Sequence, residues 1–173
     1  SDDSNSNMST TGYLFDIAEL FELYIEKLRN KNFNEWSVNP QEKIDIYKHT
    51  FYVRSMFPDI VMKNRGNNKI AVFDAKFKKM EMINKDVDRN DLHQIHSYSG
   101  YYNSEIITAG LLFPLSNEIN IEKSHSDSLY GLVGNKIKFL IDGVYVNDKL
   151  TMKELIQKEE EFIERIGAVL NDF

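Results

Sequence analysis

Two short apolar segments of the sequence each carry an aspartate where a buried strand would ordinarily have none. Asp59 directly precedes Ile-Val-Met, Asp74 directly follows Ile-Ala-Val-Phe, and Lys76 stands two residues after the second acid. Unpaired charge is costly in a half-buried segment. The combination of two acids and one lysine therefore favours a functional site over a surface hairpin whose acids pair with nearby lysines.

The residues between the two segments, Asn-Arg-Gly-Asn-Asn, tolerate turn geometry and predict a β-hairpin. If the hairpin is symmetric about this turn, Asp59 faces Asp74 across the two strands, and Val61 faces Val72. Directly opposed residues of an antiparallel pair have Cβ atoms about 4.5–5.5 Å apart. Because side chains alternate along a strand, Lys76 shares the face of Asp74.

Two carboxylates about 5 Å apart repel by roughly 3 kcal/mol at an effective dielectric constant near 20. Lys76 offsets part of this repulsion, and a hard divalent cation such as Mg²⁺ offsets more, because it takes carboxylate oxygens and keeps waters for substrate phosphates. The pattern predicts a phosphate-chemistry site in which Asp59 and Asp74 hold Mg²⁺, with Mn²⁺ as an alternative ion. The Ala75 carbonyl would add a ligand, and Lys76 would orient or activate the attacking water and steady developing charge.

A first amphipathic helix is predicted from Tyr13 to about Asn30. Its apolar residues recur at spacings of three and four; they are Leu14, Ile17, Phe21, Ile25 and Leu28. Glu22 lies beside this apolar stripe, so a helix packed against the sheet could bring it over the hairpin as a further metal-binding carboxylate. The alternative is a flanking surface glutamate.

A second helix is predicted from Asp88 to Tyr102, with Asp88 or Asp91 available to cap its start. Gln94 and Tyr98 are four residues apart and therefore adjacent on one helix face. Gln94 could hold a catalytic lysine or a nucleotide, and the Tyr98 ring and hydroxyl could contact a DNA backbone. A half-buried polar pair with no catalytic part is the alternative.

The remaining pattern predicts a mixed α/β fold with one sheet flanked by helices. The further predicted elements are a β-leaning stretch at Ser37–Tyr47, a buried strand at Glu105–Phe113 ending at Pro114, a polar loop at Ser116–Ser128, a hairpin at Leu129–Ile141 turning at Gly134-Asn135, and a last helix at Thr151–Leu170. The last helix opens with the capping-box spacing of Thr151 and Glu154.

Composition is that of an ordinary globular protein of one domain. The chain has 173 residues, 42% of them apolar and 28% charged. Residues 13–173 are expected to form the domain, and the polar, low-complexity residues 1–12 a disordered tail or the remnant of a cut linker. There is no cysteine, no apolar run near the roughly 20 residues of a membrane span and no signal-peptide pattern. These features predict a cytoplasmic protein with no membrane partner.

Charge is unevenly distributed along the chain. The net charge of −6 argues mildly against a dedicated nucleic-acid grip. From Lys63 to Lys85, however, seven basic residues stand against two acidic ones. This segment includes Lys78 and Lys79, which are candidate DNA-binding residues. The alternative is a solvated hairpin rim, because lysine is also the usual guard on exposed sheet edges.

The candidate residues, in order along the chain, resemble a known group of nucleases. The pattern Pro58-Asp59, Asp74-Ala75-Lys76 and Gln94-x-x-x-Tyr98 resembles the PD-(D/E)XK nuclease superfamily, and its Gln-Tyr element is similar to the RecB-like branch. The closer resemblance is to the McrC-type nuclease subunit of McrBC-like, modification-dependent restriction systems. It is carried by five ordered blocks over about residues 14 to 114: LFELYI, FPDIVM, IAVFDAKFK, DLHQIHSYSGYY and GLLFP.

This resemblance implies a restriction-endonuclease-like α/β fold, with a central mixed β-sheet flanked by helices and a C-terminal hairpin and helix. It implies a Mg²⁺-dependent endonuclease domain that cuts double-stranded DNA and is recruited by a McrB-like, GTP-hydrolysing AAA+ motor that senses modified cytosine. Asp59, Asp74 and Lys76 would be catalytic, with Glu22 and Gln94 as further site residues.

The family usually has an N-terminal region that engages the motor, and nothing before Tyr13 serves that purpose. We therefore expect this chain to be only the nuclease part. Its net negative charge suits a domain to which a partner delivers the DNA.

Two other functions fit parts of the sequence. One is a repair or recombination nuclease of the RecB-like or junction-resolving kind, with the same chemistry and a different DNA shape. The other is a non-catalytic DNA- or protein-binding module of the same fold. The presence of Asp59, Asp74 and Lys76 together speaks against a non-catalytic module, since a decayed site would be free to lose any of them.

Overall fold

The computed structural model describes residues 17–40, 42–47, 51–52, 54–77, 87–115, 125–126, 128 and 136–172. These residues form three α-helices, eight strands and a 3₁₀ turn at Asn103–Glu105. The helices and strands are named in chain order. They are α1 (Ile17–Asn32), β1 (Trp36–Pro40), β2 (Ile44–Ile46), β3 (Arg54–Met56), β4 (Ile60–Asn64), β5 (Ile70–Ala75), α2 (Arg89–Tyr102), β6 (Ile106–Leu115), β7 (His125–Ser126), β8 (Lys138–Tyr145) and α3 (Met152–Asn171).

A six-stranded mixed sheet with the order β1-β4-β5-β6-β8-β7 lies at the centre of the fold. β4 pairs antiparallel with β1 and β5, whereas β5, β6 and β8 run parallel, and β7 closes the edge antiparallel to β8. Among the described strands, β2 and β3 pair with each other alone, as a two-stranded ribbon. The expectation of a single sheet is therefore corrected by this ribbon.

The two faces of the sheet bury two hydrophobic cores. α1 and α3 contribute to one core, with Phe21 and Phe162 among its buried residues, and α2 contributes Ile95 and Tyr98 to the other. Because side chains alternate along a strand, β5 serves both cores: Phe73 belongs to the first and Val72 to the second. Asp74 shares the parity of Val72, so it faces α2.

Local sequence signals place all three helices. The apolar stripe of α1 is buried at Phe21 and Ile25, as predicted; the predicted residues 13–16 lie outside the described ranges. Asp88 caps α2 by accepting a hydrogen bond from Asn90 N at 2.8 Å. The predicted capping box of α3, formed by Thr151 and Glu154, is present.

The predicted stretch Ser37–Tyr47 is in fact two strands, β1 and β2, that belong to different sheets. β1 ends at Pro40, and proline has no N–H to continue a ladder. The predicted polar loop Ser116–Ser128 likewise includes the short strand β7. The first arm and turn of the predicted hairpin at Leu129–Ile141 lie outside the described ranges, and its second arm lies in β8.

β6 does not end at Pro114, as predicted, but continues to Leu115. The Leu112 carbonyl accepts a hydrogen bond from Lys76 N at 2.8 Å, just beyond β5. Because backbone groups alternate in direction along a strand, Pro114 faces the same side as Leu112, where β5 has already ended. The missing N–H of Pro114 therefore costs no ladder hydrogen bond. Within the described ranges, every helix is too short or too polar to cross a bilayer.

Candidate active site

The β4–β5 hairpin carries the candidate acids at its open end. Its turn is organised by Asn64, whose Oδ1 accepts hydrogen bonds from Gly66 N at 2.8 Å and Asn67 N at 3.2 Å. Asn68 adopts a left-handed backbone conformation with φ 57°, which asparagine tolerates better than most residues. These short-range contacts fix the turn and hence the alignment of the two strands.

The predicted symmetric register is confirmed. Val61 pairs with Val72 and Ile60 pairs with Phe73. Asp59 and Asp74 stand one step beyond this ladder, so they continue the same alignment. The Oδ2 atom of Asp59 accepts a hydrogen bond from Ala75 N at 2.7 Å, which ties the end of one strand to the end of the other.

Asp74 is a buried acid with weak hydrogen bonding. It is 1% exposed, and its Oδ1 lies 3.4 Å from Tyr98 Oη and 3.5 Å from Gln94 Nε2. Both distances exceed those of good hydrogen bonds, which are about 2.5–3.2 Å. Its Oδ2 forms an ion pair with Lys76 Nζ, and no further donor among the described residues hydrogen-bonds this oxygen.

Asp59 titrates far from its usual range. Burial raises its pKa to about 8; the charge of Asp74 also raises it, and Glu22 adds a smaller increase, whereas the Ala75 N–H acts in the opposite direction. The site therefore disfavours two negative charges at neutral pH in the absence of a cation. A raised pKa of this kind is expected for two neighbouring carboxylates whose negative charge is not fully balanced by nearby positive charge.

Lys76 is held by three groups. Nζ pairs with Asp74, donates to Gln94 Oε1 at 3.1 Å and lies 3.8 Å from Asp91 Oδ1. Burial lowers the pKa of Lys76, but the charges of Asp74, Asp91 and Asp59 outweigh it, so the net pKa is raised. The ammonium group therefore stays charged at neutral pH and can donate hydrogen bonds.

Gln94 and Tyr98 bring α2 into the site. The Gln94 amide accepts from Lys76 and donates to Tyr98 Oη at 2.6 Å. Tyr98 is completely buried, and its hydroxyl also lies 3.3 Å from the Phe57 carbonyl oxygen. Tyr98 was predicted to contact a DNA backbone; its side chain is fully buried, and its hydroxyl lies between Gln94 Nε2 and Asp74 Oδ1.

The Ala75 carbonyl lies on the β4 side of β5. The Ala75 N–H bonds Asp59, whereas the next N–H, that of Lys76, bonds Leu112 on the opposite side of the strand. No peptide bond of the described residues is cis, and in a trans peptide the carbonyl points away from the following N–H. The Ala75 oxygen is thus directed to the side of the strand where Asp59 lies, as its predicted role as a ligand requires.

Glu22 belongs to α1, which packs on the other face of the sheet. Its charge reaches Asp59 strongly enough to raise the pKa of that acid. Among the described residues, however, no three acidic or histidine side chains gather closely enough to form a metal-binding cluster. Asp59 and Asp74 interact directly through their carboxylates. Lys78 and Lys79 lie outside the described ranges.

Asp91 is a site residue that the sequence pattern did not single out, since it was considered only as a helix cap. It is buried and 3.8 Å from Lys76 Nζ. The signal was its position three residues before Gln94, which places the two side chains on one face of the helix. Asp88 takes the capping role, which leaves the Asp91 carboxylate to face the lysine.

Taken together, the open end of the hairpin offers two carboxylates, a carbonyl oxygen and a fixed ammonium group. Oxygen ligands of this kind suit a hard divalent cation, and one or two carboxylates are typical of Mg²⁺ sites that also take phosphate oxygens. A neighbouring ammonium group can stabilise negative charge that develops on a phosphate. The arrangement is therefore suited to hydrolysis of a phosphodiester.

Comparisons with known proteins give a family match and matches to solved structures. Residues 1–114 match a family described as McrBC 5-methylcytosine restriction system component. A solved structure of a complex from Thermococcus gammatolerans is similar in fold. It is described as a refined half-complex from a tetradecameric assembly of McrB AAA+ hexamers with bound McrC. The match has a TM-score of 0.67 at 16% sequence identity. The match covers 91% of this chain and 34% of the other. No curated protein gives a significant match. The expected PD-(D/E)XK-like fold is confirmed.

Proposed function

The chain belongs to the family of McrBC 5-methylcytosine restriction system components, and from this membership we propose that it is the McrC-type nuclease component of a modification-dependent restriction system. In this role it is a metal-dependent endonuclease that hydrolyses phosphodiester bonds of double-stranded DNA. The observation that carries the proposal is the convergence of Asp59, Asp74, Lys76 and Gln94 at one end of the β4–β5 hairpin.

The residues fit a divalent cation. Asp59, Asp74 and the Ala75 carbonyl would hold Mg²⁺, or Mn²⁺ in its place, with Glu22 adding negative charge from α1. The raised pKa of Asp59 supports this assignment, because a bound cation would compensate for the burial and for the negative charge of Asp74 that raise it. When bound, the cation supplies Lewis-acid polarisation of the phosphodiester.

The protein's own groups do the remaining work. Lys76 points its charged Nζ at the site, where it stabilises developing negative charge and orients the attacking water by donating a hydrogen bond. Gln94 accepts a hydrogen bond from Nζ and is itself fixed by Tyr98 Oη at 2.6 Å. Asp91 holds the ammonium group from the helix side. This arrangement limits the positions open to the lysine before substrate arrives.

We further propose that a McrB-like AAA+ motor delivers the DNA to this site in the cytoplasm. One support is the similar fold of the Thermococcus gammatolerans assembly, in which McrC is bound to McrB AAA+ hexamers. The other is the net charge of −6, which is unfavourable for unaided DNA capture.

Cleavage by the assembled complex tests the proposed function. Duplex DNA with and without 5-methylcytosine is incubated with the protein and its motor, in Mg²⁺ or in EDTA. We expect cleavage only with Mg²⁺, motor and modified DNA. Equal cleavage of unmodified DNA without the motor would favour the repair nuclease, and metal-dependent DNA binding without any cleavage would favour the non-catalytic module.

A further inference from the structure

A groove runs from the candidate active site to the β2–β3 ribbon. Its volume is about 610 Å³, and its walls are one face of α2 and the inner edge of the ribbon. Gln94 and Tyr98 line its inner end, while Tyr47 and Arg54 line the ribbon side. Because Gln94 also accepts a hydrogen bond from Lys76, the groove adjoins the site proposed to cut DNA.

The charge of the groove differs from that of the whole chain. The net charge of the chain is −6, yet the described residues that line the groove include Arg54 and His93 and no aspartate or glutamate. Arg54 is exposed at the start of β3. An arginine on such a wall complements a phosphate backbone.

The groove also presents exposed aromatic rings. Phe57 is 52% exposed and Tyr47 is 51% exposed, and both line the groove. The Tyr47 ring packs against the Tyr52 ring, with the ring centroids 5.3 Å apart. Tyr47 has a left-handed backbone with φ 62°, and residues held in such conformations gather at functional sites. Exposed rings beside a cation are the combination that holds single-stranded nucleic acid, because every base can stack.

We propose that this groove binds unpaired nucleotides of the DNA strand next to the scissile phosphate. Phe57 and Tyr47 stack on bases, and Arg54 contacts a phosphate. The inference rests on the proposed nuclease function and adds to it a strand-holding surface on the ribbon side of the site. Binding of this kind is insensitive to base sequence, which leaves recognition of modification to another part of the complex.

Binding of a labelled oligothymidylate to the intact protein, in Ca²⁺ so that cleavage does not interfere, tests the proposal. Phe57→Ala should weaken binding by about 5- to 150-fold, as expected for the loss of one stacked base, and Phe57→Trp should bind like the wild type. Arg54→Ala should weaken binding and reduce the slope of log K against log salt by about 0.7, the loss of one single-strand phosphate contact. Phe57→Ala should leave that slope unchanged.

Matched controls lie away from the groove. Tyr101 is an exposed tyrosine at the far end of α2, and Arg65 is exposed in the β4–β5 turn; Tyr101→Ala and Arg65→Ala should bind like the wild type. Because Phe57 and Arg54 are exposed, their variants should keep the wild-type melting temperature.

Groove variants that bind as tightly as these controls would overturn the proposal. So would variants that bind normally but fail to assemble with the motor, since the groove would then be a protein-binding surface. A wild type that cuts duplex DNA in the complex but binds no single strand would overturn this inference alone. A wild type that neither cuts nor binds would overturn the nuclease function as well.

Discussion

Two buried aspartates lie on central strands of the same sheet, and their surroundings differ sharply. Asp142, on β8, is 0% exposed, and it accepts hydrogen bonds from Arg165 Nε at 2.9 Å, Arg165 Nη2 at 2.8 Å and Gly143 N at 2.6 Å. Asp74, on β5, is 1% exposed, but its hydrogen bonds to α2 are 3.4 and 3.5 Å long. A second acid, Asp59, crowds it.

The contrast separates a structural acid from one that we propose to be functional. Asp142 has a bidentate guanidinium partner, the geometry that best satisfies a buried carboxylate. Asp74 has one ammonium group, which it shares with Gln94 and Asp91. A buried acid that is fully paired has no capacity for a ligand, whereas a crowded and weakly bonded pair of acids is stabilised by an added cation.

The largest expected effect is a difference in cleavage between two variants, each of which removes a lysine that pairs with an acid. Lys76→Ala should reduce Mg²⁺-dependent DNA cleavage by the assembled complex by at least about 10²–10³-fold, the usual cost of removing one preorganised stabilising group. Lys138→Ala removes the ion pair with Asp172. Lys138 lies at the start of β8, beside Thr108, whereas Asp74 lies near the end of the parallel strand β5. The variant should therefore retain cleavage. Single-turnover rates at saturating DNA measure both. A Lys76→Ala variant that cuts at the wild-type rate would refute the site.

The next largest effect, on stability, tests the structural role of Asp142. Arg165→Ala leaves Asp142 buried without a counter-charge and should lower the free energy of unfolding by about 3–5 kcal/mol. In a domain of this size each kcal/mol corresponds to about 2–4 °C of melting temperature. The fraction that remains folded should cut DNA normally. A melting temperature within about 2 °C of the wild type would show that Asp142 and Arg165 do not form a structural pair.

Asp59 should make stability depend on pH in the absence of metal. Its pKa is raised to about 8, while that of an unfolded aspartate is about 3.9. The folded state therefore holds the Asp59 proton more tightly, so the contribution of this group to stability is fully present below about pH 4 and is lost as pH rises through about 8. Melting in EDTA across this range should show this loss in the wild type and a smaller one in Asp59→Asn. Equal pH profiles would contradict the assignment.

The change in melting temperature on addition of Mg²⁺ should be the smallest of these effects. Wild-type protein should melt at a higher temperature with Mg²⁺ than in EDTA, because a ligand of the folded state stabilises it. Asp59→Asn should be more stable than the wild type in EDTA at neutral pH and should gain less from Mg²⁺. Arg165→Ala, although less stable, should keep the full Mg²⁺ response. An equal response in wild type and Asp59→Asn would count against Asp59 as a ligand.

Short-range rules predicted the elements that position the site. The spacing around the Asn-rich turn gave the register that pairs Val61 with Val72, and the capping-box spacing gave the start of α3. Long-range pairing was not predictable in this way. β8 lies beside β6, and the strand that pairs with β8 on its other side is as short as His125–Ser126. Such contacts depend on the packing of distant segments rather than on local propensity.

The site was predictable in part for the same reason. Asp59, Asp74 and Lys76 are arranged by one hairpin, so their spacing was sufficient to predict a shared face. Gln94 came from helical spacing together with the family resemblance. Asp91 was missed because its role depends on how α2 is rotated over the sheet, which its own sequence pattern does not decide. The burial of Tyr98 was missed for the same reason.

Diffraction from crystals soaked in Mn²⁺ is the sharpest test of the proposed metal site, since the anomalous signal of manganese identifies the ion and its place. We predict a peak between the carboxylates of Asp59 and Asp74, within coordination distance of the Ala75 carbonyl oxygen, and no peak at Asp142. Crystals saturated with Mn²⁺ that show no ion at Asp59 and Asp74, or an ion bound by other residues, would contradict the assignment of these acids as metal ligands.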